Sequence, residues 1–181
     1  VIKSINIAAT DDSITSLIFQ LEDVVGPTTT QVVELREALM TFKDSGKPII
    51  AFGDVYTQAQ YLLAAQADHV LMHPEGGIAL EGFSVFKSYV KTMLENIRVN
   101  MHVFRVGINK SAVEPYLRDS MSEPERKVVQ RWLGQLWSEY TTTIEMSREM
   151  PNGAIDALIA SGPEKFKAAK GDFGEIAMTE G

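Results

Sequence analysis

The sequence predicts an α/β fold with a mostly parallel sheet, and three observations predict it. Short apolar runs alternate along the chain with stripes of helical period. The runs are separated by helix-length stretches, and helical crossovers favour parallel pairing. The chain has 181 residues, 45% of them apolar, which is enough to bury one real core.

Taken in order, Ile5 to Ala8 and Ser16 to Leu21 read as strands. Gln31 to Asp44 carries Val32, Leu35, Leu39 and Phe42 at helical spacing and stops at Gly46-Lys47-Pro48. Pro48 to Gly53 is apolar enough for a buried strand, and the Ala- and Leu-rich stretch Thr57 to Ala67 predicts a helix packed closely behind it. His69 to Met72 reads as a short strand, His73-Pro74-Glu75-Gly76-Gly77 as a turn, and Ile78 to Phe83 as a third extended piece. Lys87 to Asn96 predicts a helix and Met101 to Val106 a strand. Ser122-Glu123-Pro124-Glu125 has the spacing of a capping box, with a proline where a first helical turn tolerates it. Val129, Leu133, Leu136, Tyr140 and Ile144 then hold one stripe, joined by Trp132 and Trp137, until Pro151-Asn152-Gly153. Such a helix runs roughly 40 Å at about 1.5 Å per residue, which is long for a crossover and suits a projection toward a neighbour. Ala154 to Gly181 reads as two or three short helices. The expected organisation is an α/β core over 1–121 and a helical part over 122–181, within one domain and serving oligomerisation.

Charge and composition exclude several functions. A net charge of -7 and a pI near 5.0 leave no clustered basic surface for nucleic acid. Without cysteine there is no thiolate nucleophile, Cys-ligated zinc or disulfide. No run approaches the ~20 apolar residues of a spanning helix. The abrupt start at Val1-Ile2-Lys3 and the helical pattern at Glu180-Gly181 suggest a fragment, with any anchor outside it. His69 and His73 are four apart but are split from one helix by Pro74, and His102 precedes a strand, so no metal is expected. Gly76-Gly77, Gly82 and Gly53-Asp54 lack the spacing of phosphate-binding loops, so no cofactor is expected either.

Lys110 is the remaining candidate for chemistry. It follows the apolar run Val103-Phe104-Arg105-Val106-Gly107, at the kind of strand end where α/β proteins build sites, and precedes Ser111-Ala112-Val113. A lysine acts as a base only when neutral, which requires its pKa to fall from about 10.4 toward roughly 7 or 8. Desolvation supplies such a shift, and a surface lysine is the plainer alternative.

The stretch "FRVGINKSAVEPYLRDSMS" resembles the lysine-bearing motif of the signal peptide peptidase SppA family, membrane-bound bacterial enzymes also called protease IV, in their long two-repeat form. "KPIIAFGDVYTQAQYLLAAQADHVLMHPEGGIALEGF" and "RWLGQLWSEY" carry the likeness over essentially the whole chain. The resemblance implies a Clp protease/crotonase-like fold, a Ser/Lys dyad and the cleavage of leftover signal peptides. This chain looks like the N-terminal half, with Lys110 as general base and Ser111 and Glu114 in support. The family's serine-bearing turn maps onto Gly53 to Tyr61, where the serine falls on Gln58. An amide cannot attack a carbonyl, and the nearest hydroxyl, Thr57, is one position off, so the nucleophile is expected from a C-terminal half outside this chain. Peptide substrates, a homo-oligomer and the periplasmic side of a bacterial inner membrane follow from the resemblance, with Ile78, Leu80 and Phe83 as candidate pocket walls. Two other readings are a non-catalytic assembly domain, suggested by the Trp-bearing helix, and a crotonase-type acyl-CoA enzyme, suggested by architecture alone.

Overall fold

The computed structural model describes residues 1–24, 29–104 and 111–180. They divide into two compact units: unit 1, Val1–Gly82 with Glu139–Gly181, and unit 2, Phe83–Ser138.

Unit 1 opens with a helix, α1 (Ile2–Thr10), where the sequence suggested a strand at Ile5 to Ala8. Four apolar-looking residues do not distinguish the two periods, and the deciding pair is Ile5 with Ala9, which bury together on one helical face against the next helix. The Lys47 ammonium closes the C-terminus of α1, donating to the carbonyls of Ala8, Ala9 and Asp11 at 2.9, 3.1 and 2.8 Å. A cation is favoured there because the last carbonyls of a helix lack donors.

Three parallel strands follow, β1 (Leu17–Gln20), β2 (Ile49–Thr57) and β3 (His69–Ala79), hydrogen-bonded in that order. The crossovers are α2 (Thr29–Asp44) and α3 (Gln58–Ala64), so this is the α/β class with a parallel sheet that the rhythm predicts. Ile49, Ala51 and Tyr56 of β2 meet Val32, Leu39 and Phe42 of α2 and Leu63 and Ala64 of α3 in one core. The alanines let α3 lie close to the strands. Asp68 ends this crossover, accepting the Ile49 N–H at 2.7 Å and pairing with Lys43 at 3.0 Å. Ile18, Phe52 and Leu71 on the other face of the sheet stay exposed.

The expected turn at His73 to Gly77 lies inside β3. Gly53 of β2 pairs with Met72, but two residues later Val55 pairs with Gly77, so β3 bulges between its two paired stretches. Proline and glycine punctuate the chain here without ending the strand. Gly76 sits where a Cβ would lie 2.0 Å from the Asp54 carbonyl oxygen.

Unit 2 contains α4 (Lys91–Asn96), shorter than expected, a 3₁₀ turn over Ser111–Val113, and α5 (Glu114–Leu117). Met101 to Phe104 are not in a strand, contrary to the expectation for Met101 to Val106, whose last two residues lie outside the described residues. Their side chains offer little to bury: Phe104 is 98% exposed. Among the described residues of unit 2 only Ser122 is buried. The long helix α6 (Glu123–Ser147) starts in this unit, and from Glu139 its residues belong to unit 1.

The chain completes unit 1 with α7 (Ala154–Ala168) and α8 (Phe173–Glu180). Gly153, at φ +80°, turns the chain into α7. The buried Glu145 carboxylate of α6 accepts the N–H groups of Gly153 and Ile155, each at 3.1 Å. Two donors at the start of α7 thus depend on one side chain. Glu145→Ala is expected to lower stability by about 3 kcal/mol, since hydrogen bonds to charged groups contribute about 1.5–3 kcal/mol each and the buried Ile155 N–H would lack a replacement. Urea unfolding checks this, with Glu145→Gln expected to lose about half as much.

Candidate active site

The start of α3 is where the family resemblance places a serine. Thr57 caps the helix: its hydroxyl oxygen accepts the Gln60 N–H at 3.3 Å, and the Gln60 side-chain oxygen accepts the Thr57 N–H at 2.9 Å. The buried Gln60 amide then donates to the carbonyls of Leu21 and Val24 at 2.8 and 3.2 Å, tying the cap to the end of β1. Gln58 makes a two-point clamp. Its amide nitrogen donates to the Gly82 carbonyl at 3.2 Å, and its amide oxygen accepts the Gly82 N–H at 2.8 Å. The Gln58 carbonyl accepts the Tyr140 hydroxyl at 3.0 Å. Burial raises the Tyr140 phenol far above its ordinary range and pushes Tyr56, whose hydroxyl donates to the Leu71 carbonyl at 2.7 Å, up to about 12. Both phenols therefore serve as fixed donors, not bases.

Chemically this corner is closed. The Gln58 amide has both ends bonded to one residue, Gly82, and the Thr57 hydroxyl is occupied in the cap. Neither can act as a nucleophile without dismantling the start of α3.

In unit 2, Lys110 lies outside the described residues, while Ser111 and Glu114 are described. Ser111 opens the 3₁₀ turn that follows the lysine in sequence. Glu125 is held below its ordinary value by Lys87, at 2.5 Å, and then by the Ser111 hydroxyl. The Glu114 carboxylate accepts both groups of Ser122, the hydroxyl at 2.5 Å and the N–H at 3.1 Å. Ser122 in turn accepts the Glu125 N–H at 3.3 Å as the cap of α6. The expected capping box is therefore only half formed within Ser122 to Glu125. Glu125 reaches Lys87, and Glu114 supplies the other half from α5. The Ser122 hydroxyl and then its N–H keep the Glu114 carboxyl below its ordinary 4.5, with Arg118 adding to the effect. Stability from this contact is present above that value and fades as pH falls through the lowered one.

Ile78 and Leu80 line an apolar cavity of about 380 Å³ with Tyr61, Leu158 and Phe166 in unit 1. Phe83 meets Trp137 edge to face at 6.4 Å in unit 2. Among the described residues no three His, Asp or Glu side chains converge as metal ligands. The Gln60 cap was readable as Thr57-x-x-Gln60, the same spacing that marks Ser122. The Gln58 clamp and the Tyr140 bond join residues 24 and 82 apart and leave no local pattern.

Residues 41–174 match the family model described as "Peptidase family S49". The chain belongs to peptidase family S49. It is 37% identical over 177 residues to "Protease 4" of Salmonella typhi, covering 93% of this chain and 29% of that protein. With "Protease 4" of Haemophilus influenzae it shares 35% over 181 residues, covering 100% of this chain and 29% of the relative. The Arabidopsis thaliana "Serine protease SPPA, chloroplastic" is 25% identical over 142 residues, covering 77% of this chain and 21% of that protein. The S49 chain thus spans about 29% of the length of the two Protease 4 relatives. S49 membership agrees with a Clp protease-like arrangement of the parallel sheet and its flanking helices. The matched stretch includes Gln58, Lys110, Ser111 and Glu114.

Proposed function

We propose that this S49 chain is the lysine-bearing part of a serine peptidase whose nucleophile lies outside residues 1–181. The observation that carries the reading is the Gln58 clamp: the position where a serine is expected holds an amide bonded at both ends to Gly82. The relatives' printed names support peptidase activity, and the share of their length covered leaves room for a second half.

In this mechanism the neutral Lys110 amine takes the proton of a serine hydroxyl supplied by the C-terminal part, and the serine oxygen bonds to the peptide carbonyl carbon. The lysine passes that proton to the departing amine as the C–N bond breaks. It then accepts a proton from the water that attacks the acyl-enzyme and returns it to the serine oxygen as the acyl C–O bond breaks, restoring both groups. Ser111 and Glu114 shape the segment around the base. The substrates are cleaved signal peptides, apolar and extended, and the assembled enzyme is a homo-oligomer held at the periplasmic face of a bacterial inner membrane through a segment outside this chain. A purely structural role in assembly is the second reading, favoured by Trp132, which is 49% exposed on α6.

A fluorophosphonate probe tests the first reading, because it marks activated serines covalently. In the chain joined to its natural continuation, labelling is expected at a serine beyond residue 181. The isolated chain is expected to stay unlabelled and to leave apolar peptides intact. Labelling of Thr57 or any other hydroxyl within 1–181, or cleavage by this chain alone, would overturn the reading.

A further inference from the structure

Unit 2 has no fully buried apolar side chain among its described residues, and in the segment after Lys110 Val113 and Leu117 are only half-buried, so packing gives that segment little hold. Polar clamps hold it instead. The Val90 N–H donates to the Pro115 carbonyl at 2.7 Å, and the Thr92 N–H donates to the Asp119 carboxylate at 2.9 Å. A third clamp joins Glu114 to Ser122, where one carboxylate takes both the hydroxyl and the N–H of one residue. Ser122 simultaneously caps the 25-residue α6. The start of that helix is therefore fastened through Ser122 to α5, whose first residue is four positions after the lysine, while Glu125 in its first turn bonds Lys87 and the Ser111 hydroxyl.

We infer that Ser122 is a positioning residue for the peptidase reaction, holding the segment that follows Lys110 in register with α6 through the Glu114 carboxylate. This rests on the reading of Lys110 as the base. A base must hold hydrogen-bond geometry to its nucleophile, and misplacement by about 1 Å costs on the order of 100-fold in rate. Glu114 alone does not fix the segment, because α5 is a single turn with no buried residue of its own.

The test uses the full-length peptidase and measures steady-state cleavage of an apolar peptide, with circular dichroism as a check on folding. Ser122→Ala is expected to lower kcat about 10- to 100-fold with KM changed less than twofold. Ser122→Thr, which keeps the hydroxyl and the N–H, is expected to recover most of kcat. Glu114→Ala, which removes both bonds where Ser122→Ala leaves the N–H one, is expected to lose at least as much as Ser122→Ala, and the double variant to be no worse than Glu114→Ala, because the two changes act on the same contact. Wild-type kcat in folded Ser122→Ala, with Lys110→Met inactive, would overturn the positioning role and leave the base assignment intact. A loss confined to KM would overturn it as well. Activity retained by Lys110→Met would instead remove the base and, with it, the reason for a positioning residue.

Discussion

Replacing Lys110 by methionine in the full-length peptidase is expected to lower kcat about 10⁴-fold while leaving the fold intact. In the proposed mechanism one amine takes the serine proton, delivers it to the leaving group and activates the water, and general acid–base catalysis at one step contributes about 10²–10⁴-fold. Methionine keeps the length and apolar stem of lysine, so the loss reports the nitrogen. Arginine is expected to fail equally, because a guanidinium with a pKa above about 12 cannot act as the neutral base. Peptide cleavage followed by fluorescence measures both. Activity surviving in Lys110→Met would end the assignment.

Gly76→Ala is expected to destabilise the chain by about 3 kcal/mol or more, or to prevent soluble expression. The added Cβ would meet the Asp54 carbonyl oxygen at 2.0 Å and the His73 carbonyl oxygen at 2.8 Å. Both obstacles are backbone, and both belong to the bulged pairing of β2 with β3, so relief requires the strands to separate. Gly134→Ala provides the contrast. Gly134 lies within α6 with open space around its missing Cβ, and alanine there is expected to stabilise by about 1 kcal/mol through helix propensity. Urea titrations of the two variants should therefore move in opposite directions. A Gly76→Ala chain as stable as the original would show that the bulge yields easily.

The sequence carried the alternation of strands and helices in unit 1 because each of α2, β2 and α3 has a clear apolar period and a nearby stop. It misled at α1, where Ile5 and Ala9 are as compatible with a helix as Ile5 to Ala8 is with a strand, and only contact with α2 decides. At β3 the residues that usually end a strand form a bulge within it, because β2 continues alongside. The run from Met101 to Val106 reads as a strand, yet its described part, Met101 to Phe104, is not one, and Phe104 is almost wholly exposed. In the candidate site, the loss of a serine at Gln58 could be read from spacing and resemblance. What the glutamine does instead could not, since its partner Gly82 lies beyond β3 in sequence. The tie between Glu114 and Ser122 was hidden by a similar cause, with each residue having a sufficient local explanation as a helix-start residue.

Unit 1 is assembled from two stretches of chain with all of unit 2 spelled out between them. As the polypeptide leaves the ribosome, the three strands can pair early, but α8, which packs against β3, reaches the tunnel exit only after unit 2 has been translated. For that interval the nascent sheet lacks part of its covering, and a chaperone that shields apolar surface would have its greatest effect then.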